Sequence, residues 1–430
     1  MSSMDRWRQH DRTVISLGYD AARRERAAAN APAYVAALRD GSAWAVFSQA
    51  LRDLGPALEA SGFAENETDL AEGYRYLLGL VTMRLNSILY AAGPEVPAFV
   101  RGMDDIVKVG LDNPDGINSY LAEIRDDRTY RLFGTVGRER YVEFVQFGAS
   151  GTLANNFLDQ FSSTPDGRFE IWLSREKRPG NHLELPPGAQ GLLVRQVQYD
   201  WENEPLSEIR IEQPGVDALP ECLRTPDPAQ VAEELTSLGA TLRDELAFWF
   251  DYIRAFSGTG ENTIGGDQPL AVSGASAVRA APKGTFRLGP DEALVLELEP
   301  PEGLFWSVAI GDVWFRSIDP SRRQSSLNGH TARVDKDGLC RIVVAHEDPG
   351  IANWLDTAGH QRGIVTFRYV RTASRPGVRS RVVRTAELSE VLPPDTAQVT
   401  AAERAETIAS RTRGFAARYA SPFTSRWGHA

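Results

Sequence analysis

Between residues 20 and 92 the apolar positions recur at intervals of three and four, the rhythm of an amphipathic helix. In DLAEGYRYLLGLVTMRLNSILYAAG that rhythm runs through Leu70, Tyr74, Leu77, Leu78, Val81, Leu85 and Ile88. It predicts a helix with Asp69 as N-cap, stopped by Ala91-Ala92-Gly93 and Pro94. After about residue 125 the period drops to two. TYRLFG, RYVEFVQFG, RFEIWLS, QGLLVRQVQYDW and SEIRIEQPG are short alternating runs, and TPDGR between two of them is a turn signal. Helical spacing returns over residues 228–257, with Val231, Leu235, Leu238, Leu242, Leu246 and Trp249 on one stripe. The loop GTGENTIGGDQPLAVSGASAV follows, rich in Gly, Ser and Asn.

Strands resume in GTFRLG, ALVLELEP, LFWSVAIGDVWF, TARVDKDGLCRIVVAH and GIVTFRYV, with Asp337-Gly338 marking a hairpin turn. A terminal helix is expected over 398–419. Turns every eight to twelve residues point to β-sandwiches or jelly rolls. The expected architecture is α+β with two antiparallel β-modules: a mainly helical region 1–125, a first β-module 126–215, a helical connection 216–265, a second β-module 266–395, and a C-terminal helix and tail 396–430.

Composition narrows the partners. The net charge of −11 argues against nucleic acid and anionic membrane, since either needs a basic surface to displace counterions. No run of about 18 apolar residues suits a spanning helix. The N-terminal stretch lacks an apolar signal core, which sets the expectation of a cytoplasmic protein. Two cysteines, Cys222 and Cys340, cannot build a disulfide framework or hold a metal by themselves. No cofactor is expected, because phosphate loops and dinucleotide fingerprints are missing. The expected partner is a small-molecule substrate, and a homodimer is compatible with the sequence.

Four stretches, in order, carry a resemblance. They are LDNPDGINSYLAEIRDDRTYRLFG, RPGNHLELPPGAQGLLVRQVQYDWENE, FWSVAIGDVWFRSIDPSRRQSSLNGHTARVDKDG and DPGIANWLDTAGHQRG. Over about residues 70–390 the chain resembles the bacterial family labelled domain of unknown function 1214, related to the 1254 family. The resemblance implies two β-sandwich or jelly-roll modules with helical additions and says little of chemistry. His182 stands where that family usually has Trp, and Val109 and Leu111 flank Gly110 where a glycine pair is common.

Four constellations could carry chemistry. Asp112-Asn113-Pro114-Asp115 with Tyr120 could be a turn, a proton-transfer group or a hard-cation site. Asp104-Asp105 is a weaker acidic pair. Arg195 and Trp201 share a face of one expected strand, opposite Gln196 and Asp200. Trp306 and Trp314, with Ser317, Asp319, Ser326 and Asn328, could line the mouth of a small-molecule site.

The densest stretch is AHEDPGIANWLDTAGHQRG, residues 345–363. There Asn353, Trp354 and Asp356 read as one helical turn ended by Gly359, placing Asp356 beside His360. The stretch reads as a structural turn with buried polar bonds, as an acid–base or ligand-binding site, since a carboxylate that orients an imidazole is half of many such sites, or as loop residues converging on a metal. No G-x-S-x-G elbow and no HExxH accompany it, and Cys340 reads as a packing residue.

The function expected is a cofactor-independent lyase, isomerase or hydrolase acting on a small, largely apolar oxygenated molecule. His360 is the expected acid or base, oriented by Asp356. Tyr120 or Asp112 would be the second proton-transfer group, and Arg195 would hold an oxygen. Trp201, Trp306, Trp314, Asn353, Trp354 and His346 complete the candidate substrate contacts. The rivals are a glycan- or lipid-binding sandwich, and a carbohydrate-active enzyme with carboxylates about 5–10 Å apart.

Overall fold

The computed structural model describes residues 21–89, 93–99, 113–148, 151–216, 226–257, 260–265, 279–280 and 282–420. Among them are seven α-helices: α1 Ala21–Ala29, α2 Ala31–Arg39, α3 Ser42–Glu59, α4 Glu67–Leu89, α5 Pro228–Ser257, α6 Leu388–Val391 and α7 Ala401–Ala420. The first β-module holds β1 Gly116–Glu123, β2 Tyr130–Thr135, β3 Tyr141–Gly148, β4 Gly151–Phe157, β5 Arg168–Ser174, β6 His182–Glu184, β7 Ala189–Val197 and β8 Glu208–Glu212. The second holds β9 Arg279–Ala280, β10 Lys283–Arg287, β11 Glu292–Leu298, β12 Gly303–Gly311, β13 Ser326–Asn328, β14 Cys340–Ala345, β15 Trp354–Asp356, β16 Arg362–Thr372 and β17 Arg379–Arg384.

Each module is a sandwich. In the first, sheet β1-β7-β3-β4 faces sheet β6-β5-β2-β8, and Phe144, Leu192 and Val194 meet Leu132, Ile171 and Leu173 between them. In the second, sheet β10-β16-β12-β13, with β9 on β16, faces sheet β15-β14-β11-β17. Val308, Val365 and Phe367 pack there on Leu294, Leu296 and Ile342. Pairing is antiparallel except for the three-residue strands β6 on β5 and β15 on β14. The α+β class with sandwich-like sheets is therefore the architecture present. No helix among the described residues is long and apolar enough to cross a membrane.

Some boundaries move. Strand β1 joins the first sheet ahead of the boundary expected at residue 126. It pairs with β7 through a register shift between Ile117 and Tyr120, so its side-chain alternation is interrupted. In α4 the buried positions are Tyr76, Leu77 and Leu80, whereas Tyr74 and Leu78 are exposed. The rest of the stripe read from sequence holds, since Leu70, Leu77, Val81, Leu85 and Ile88 all pack in the helical core. The Asn66 side chain, one residue ahead of the helix, accepts the Asp69 N–H at 2.9 Å, and Asp69 itself pairs with Arg362. For α5 the sequence stripe holds, since Leu238, Leu242 and Leu246 are buried against α3 and α4. Gly239 allows that closeness, because a Cβ there would lie 2.3 Å from the Ala50 Cβ. The Asp337-Gly338 turn forms, with Gly338 at φ 85°, but the residues before it are not a strand.

Cys340 opens β14 and is wholly buried in the second core. Burial pushes its thiol up to about 12, and the thiolate is the reactive form. Iodoacetamide on native Cys222→Ser protein at pH 8 is expected to leave Cys340 unmodified for hours and to label it fully in urea. Rapid native labelling, read by intact mass, would contradict this packing.

Candidate functional site

The loop that drew attention in the sequence is closed on itself. Trp354–Asp356 is not a helical turn but the short strand β15, aligned parallel to β14 with Val343 opposite Trp354. Ala358 and Gly359 take positive φ, 55° and 82°, and make the turn into β16. Asp356 accepts the Arg323 guanidinium at 2.8 Å and the Ala358 N–H at 2.7 Å. The imidazole of His360 donates instead from Nδ1 to the Thr357 carbonyl, 2.8 Å away, so the expected Asp356–His360 couple is absent. His346 Nδ1 lies 2.7 Å from the Thr357 hydroxyl. The Asn353 amide donates to the Arg333 and Arg341 carbonyls and accepts the Arg333 N–H. Trp354 donates to the Ala345 carbonyl and packs under Arg404. The reason is topological: a parallel strand beside β14 forces a tight return, and the polar side chains satisfy that return's backbone.

The aromatic candidates are buried. Trp201, Trp306, Trp314 and Trp354 are 7%, 6%, 1% and 7% exposed. Trp306 belongs to the second sandwich core. Trp314 packs among the helices and donates to the Asp69 carbonyl. Trp201 does not share a strand face with Arg195, because β7 ends at Val197. Asp112, Asp104 and Asp105 lie outside the described residues, as does the Tyr120 side chain, whose backbone is in β1.

Sequence reasoning did not single out the place where the two modules meet. On β3, Val142 and Phe144 point into the first core, so Tyr141, Glu143 and Val145 point outward. On β16, Val365, Phe367 and Tyr369 point into the second core, so Thr366, Arg368 and Val370 point outward. The two outward faces are pressed together where Tyr141, Phe157 and Val197 touch Phe305 and Val370. One alternate position further along each strand, the lining turns polar. From the first module come Glu143, wholly buried, and its cross-strand neighbour Arg195 at 3.4 Å. Asn155 also donates to Glu143, at 2.7 Å. From the second come Ser307 and Arg368, opposite each other in register, and Lys283 opposite Thr366.

Lys283 is 2% exposed, and its ammonium lies 5.8 Å from the ring centre of Tyr252 on α5. Burial raises the Tyr252 phenol well above its ordinary range, against the pull of the Arg368 charge. The buried Ser307 hydroxyl has no hydrogen-bond partner among the described residues. Lysine, arginine and glutamate are seldom buried, because desolvation opposes their charge. Several of them on the outward faces of two touching sheets make this region a candidate site. The signal that could have found it is a charged residue at an outward position of an otherwise apolar strand, Glu143 in YVEFV and Arg368 in FRYV.

His360 is not part of this seam. Eight residues separate it from Arg368 along β16, roughly 26 Å at the rise of an extended strand. On the other side of the Tyr141 contact a cleft of about 220 Å³ opens, lined by Glu139, Arg140, Asp159, Ser163 and Ser207 among others. Its polar groups are taken: Glu139 accepts from Gln196 and Ser207, Asp159 pairs with Arg371, and Arg140 donates to the Gly303 and Leu304 carbonyls.

Over 82% of this chain and 100% of the other, the fold is similar to the crystal structure of an uncharacterized protein from Burkholderia cenocepacia, with 28% identity and a TM-score of 0.76. A protein from Vibrio parahaemolyticus aligns over 71% of this chain and 96% of its own at 11% identity and a TM-score of 0.42, too distant to inform the fold. No curated protein matches the chain in sequence. Residues 284–374, within the second β-module, match the family described as protein of unknown function, DUF1214, in line with the resemblance over that part of the chain.

Proposed function

We propose that the chain is a cofactor-independent enzyme whose site is the polar seam between its two β-modules. The substrate in this reading is a small, largely apolar molecule carrying a carbonyl, carboxylate or hydroxyl oxygen. Arg195 and Arg368 hold that oxygen, and Glu143 and Lys283 are the proton-transfer groups. The carrying observation is the burial of Lys283 and Glu143, 2% and 0% exposed, on two sheet faces that touch. A lysine moved into a dry environment shifts its proton affinity readily, which suits acid–base work at neutral pH.

The acid–base role thus passes from His360 and Asp356 to the seam, while Arg195 keeps the role read from sequence. A glycan-binding surface drew on exposed indoles, and four of the tryptophans are buried. For paired carboxylates, Asp348 is held by Arg404, Asp356 by Arg323, and Asp319 bonds within its own turn at Ser321. A cytoplasmic location belongs to this proposal, as does a homodimer, for which the exposed Trp44, Leu78 and Leu89 offer apolar surface.

The test is a thermal-shift panel of small ketones, esters and carboxylates on wild type, Arg195→Ala and Lys283→Met, with circular dichroism as the fold control. Compounds that raise the midpoint of wild type are expected to lose that effect in both variants. Hits that shift all three proteins equally would place binding elsewhere. A panel without hits would remove the small-molecule reading.

A further inference from the structure

The C-terminal helix α7 docks in an unusual way. Its buried positions are Arg404, Arg411, Gly414 and Arg418, and the three arginines are spaced seven apart at 8%, 9% and 2% exposure. Seven residues are nearly two turns, so all three lie on one face. Coiled coils put leucine at such positions; here the packed groups are guanidinium ions.

Each guanidinium finds a flat ring and neutral oxygens. Arg404 lies over Trp354, donates to the Gln324 side chain and the Ile351 carbonyl, and reaches Asp348. Arg411 lies over Trp201 and donates to the Pro320 carbonyl, the Ser326 carbonyl and the Ser326 hydroxyl. Arg418 lies over the same indole and donates to the Gln198 side chain and the Pro114 carbonyl. The helix therefore grips the second module at Arg404, both modules at Arg411 and the first at Arg418. Its remaining anchors are surface pairs such as Arg413–Glu202 and the Thr412 bond to the Ser321 carbonyl.

This interface draws less on apolar burial than the sheets do, since Ile408, Ala409 and Phe415 are only half-buried and the fully buried positions are arginine and glycine. The desolvation of three guanidinium ions opposes their hydrogen bonds and ring contacts. The β-sheets, by contrast, are locked by continuous ladders over apolar cores. We infer that α7 is a clasp across the two β-modules that opens and closes as a unit while both sandwiches stay folded. Opening uncovers Trp201 and the buried Asp115 and releases one tie between the modules. Segments that open below the global transition are those with few apolar contacts.

The test is native-state hydrogen exchange on the full chain, read by mass spectrometry at low urea. Amides of 401–420 are expected to exchange at least about 100-fold faster than those of β12 and β16, in one cooperative step. Arg411→Lys keeps the charge but loses the planar fork. It is expected to speed α7 exchange about tenfold and to leave the strands unchanged. Exchange of α7 at the rate of β16 in wild type would overturn the clasp. A variant that speeds every segment alike would do so too, because α7 would then open only with the whole protein. Neither outcome touches the seam reading, since no ligand is involved.

Discussion

Trp201→Ala is expected to lower the unfolding free energy by about 3–5 kcal/mol, the range for truncating a buried aromatic side chain. The indole is 7% exposed and lies between two guanidinium groups, at 4.4 Å from Arg411 and 4.2 Å from Arg418. Its N–H donates to Asp115 at 2.8 Å, and a Cβ on Gly414 would come within 2.6 Å of its own Cβ. Truncation removes the ring that both arginines stack on and leaves Asp115, 1% exposed, with one donor fewer. Asn328 still donates to that carboxylate at 2.8 Å. Trp201→Phe separates the two effects: it keeps most of the ring face and loses the N–H, for about 1–3 kcal/mol. Urea unfolding measures both. An alanine variant within about 1 kcal/mol of wild type would mean that the indole does not hold the modules and α7 together.

Arg341→Ala is expected to cost a similar amount, about 3–5 kcal/mol, because removing one partner leaves buried charge behind. The Arg341 side chain is 9% exposed and binds three carboxylates: Asp335 at 2.6 Å, Asp337 at 2.6 Å and Glu297 at 2.7 Å. Glu297 keeps Arg379. Asp335 is 8% exposed and would be left with the Thr396 hydroxyl. Adding Asp335→Ala to Arg341→Ala should therefore recover part of the loss, a coupling that a double-mutant cycle reads directly. Additive losses would show that the two groups do not depend on each other.

The reach of sequence reasoning differs from element to element. The α5 stripe and the strands RYVEFVQFG, RFEIWLS and GIVTFRYV were legible because their apolar period matches the face they bury. In α4 the same reasoning placed most of the stripe but wrongly included the exposed Tyr74 and Leu78. Apolar residues surround much of that helix, and only the position of α5 and Trp314 decides which of them are covered. In the 345–363 stretch, histidine and acidic residues left open a polar-bonded turn or a proton-transfer site. They bond to the backbone and neighbours of a parallel strand return, the turn reading, although no local pattern encodes the parallel strand itself.

What the sequence determined alone is the α+β class with its two β-modules and most of their helices and strands, since these follow from local period. Only the tertiary structure decided that Glu143 and Arg195 lie on one outward sheet face, Ser307 and Arg368 on another, and that the two faces touch at Tyr141, Phe305 and Val370. It alone also gave Asp115, Trp201, Arg411 and Arg418 to one another across some 300 residues, as the Arg418–Pro114 bond shows at a separation of 304. The physical reason is that a charged side chain carries no mark of its partner. Its burial and its counter-groups depend on which faces meet, and those contacts exist only once the sandwiches have packed.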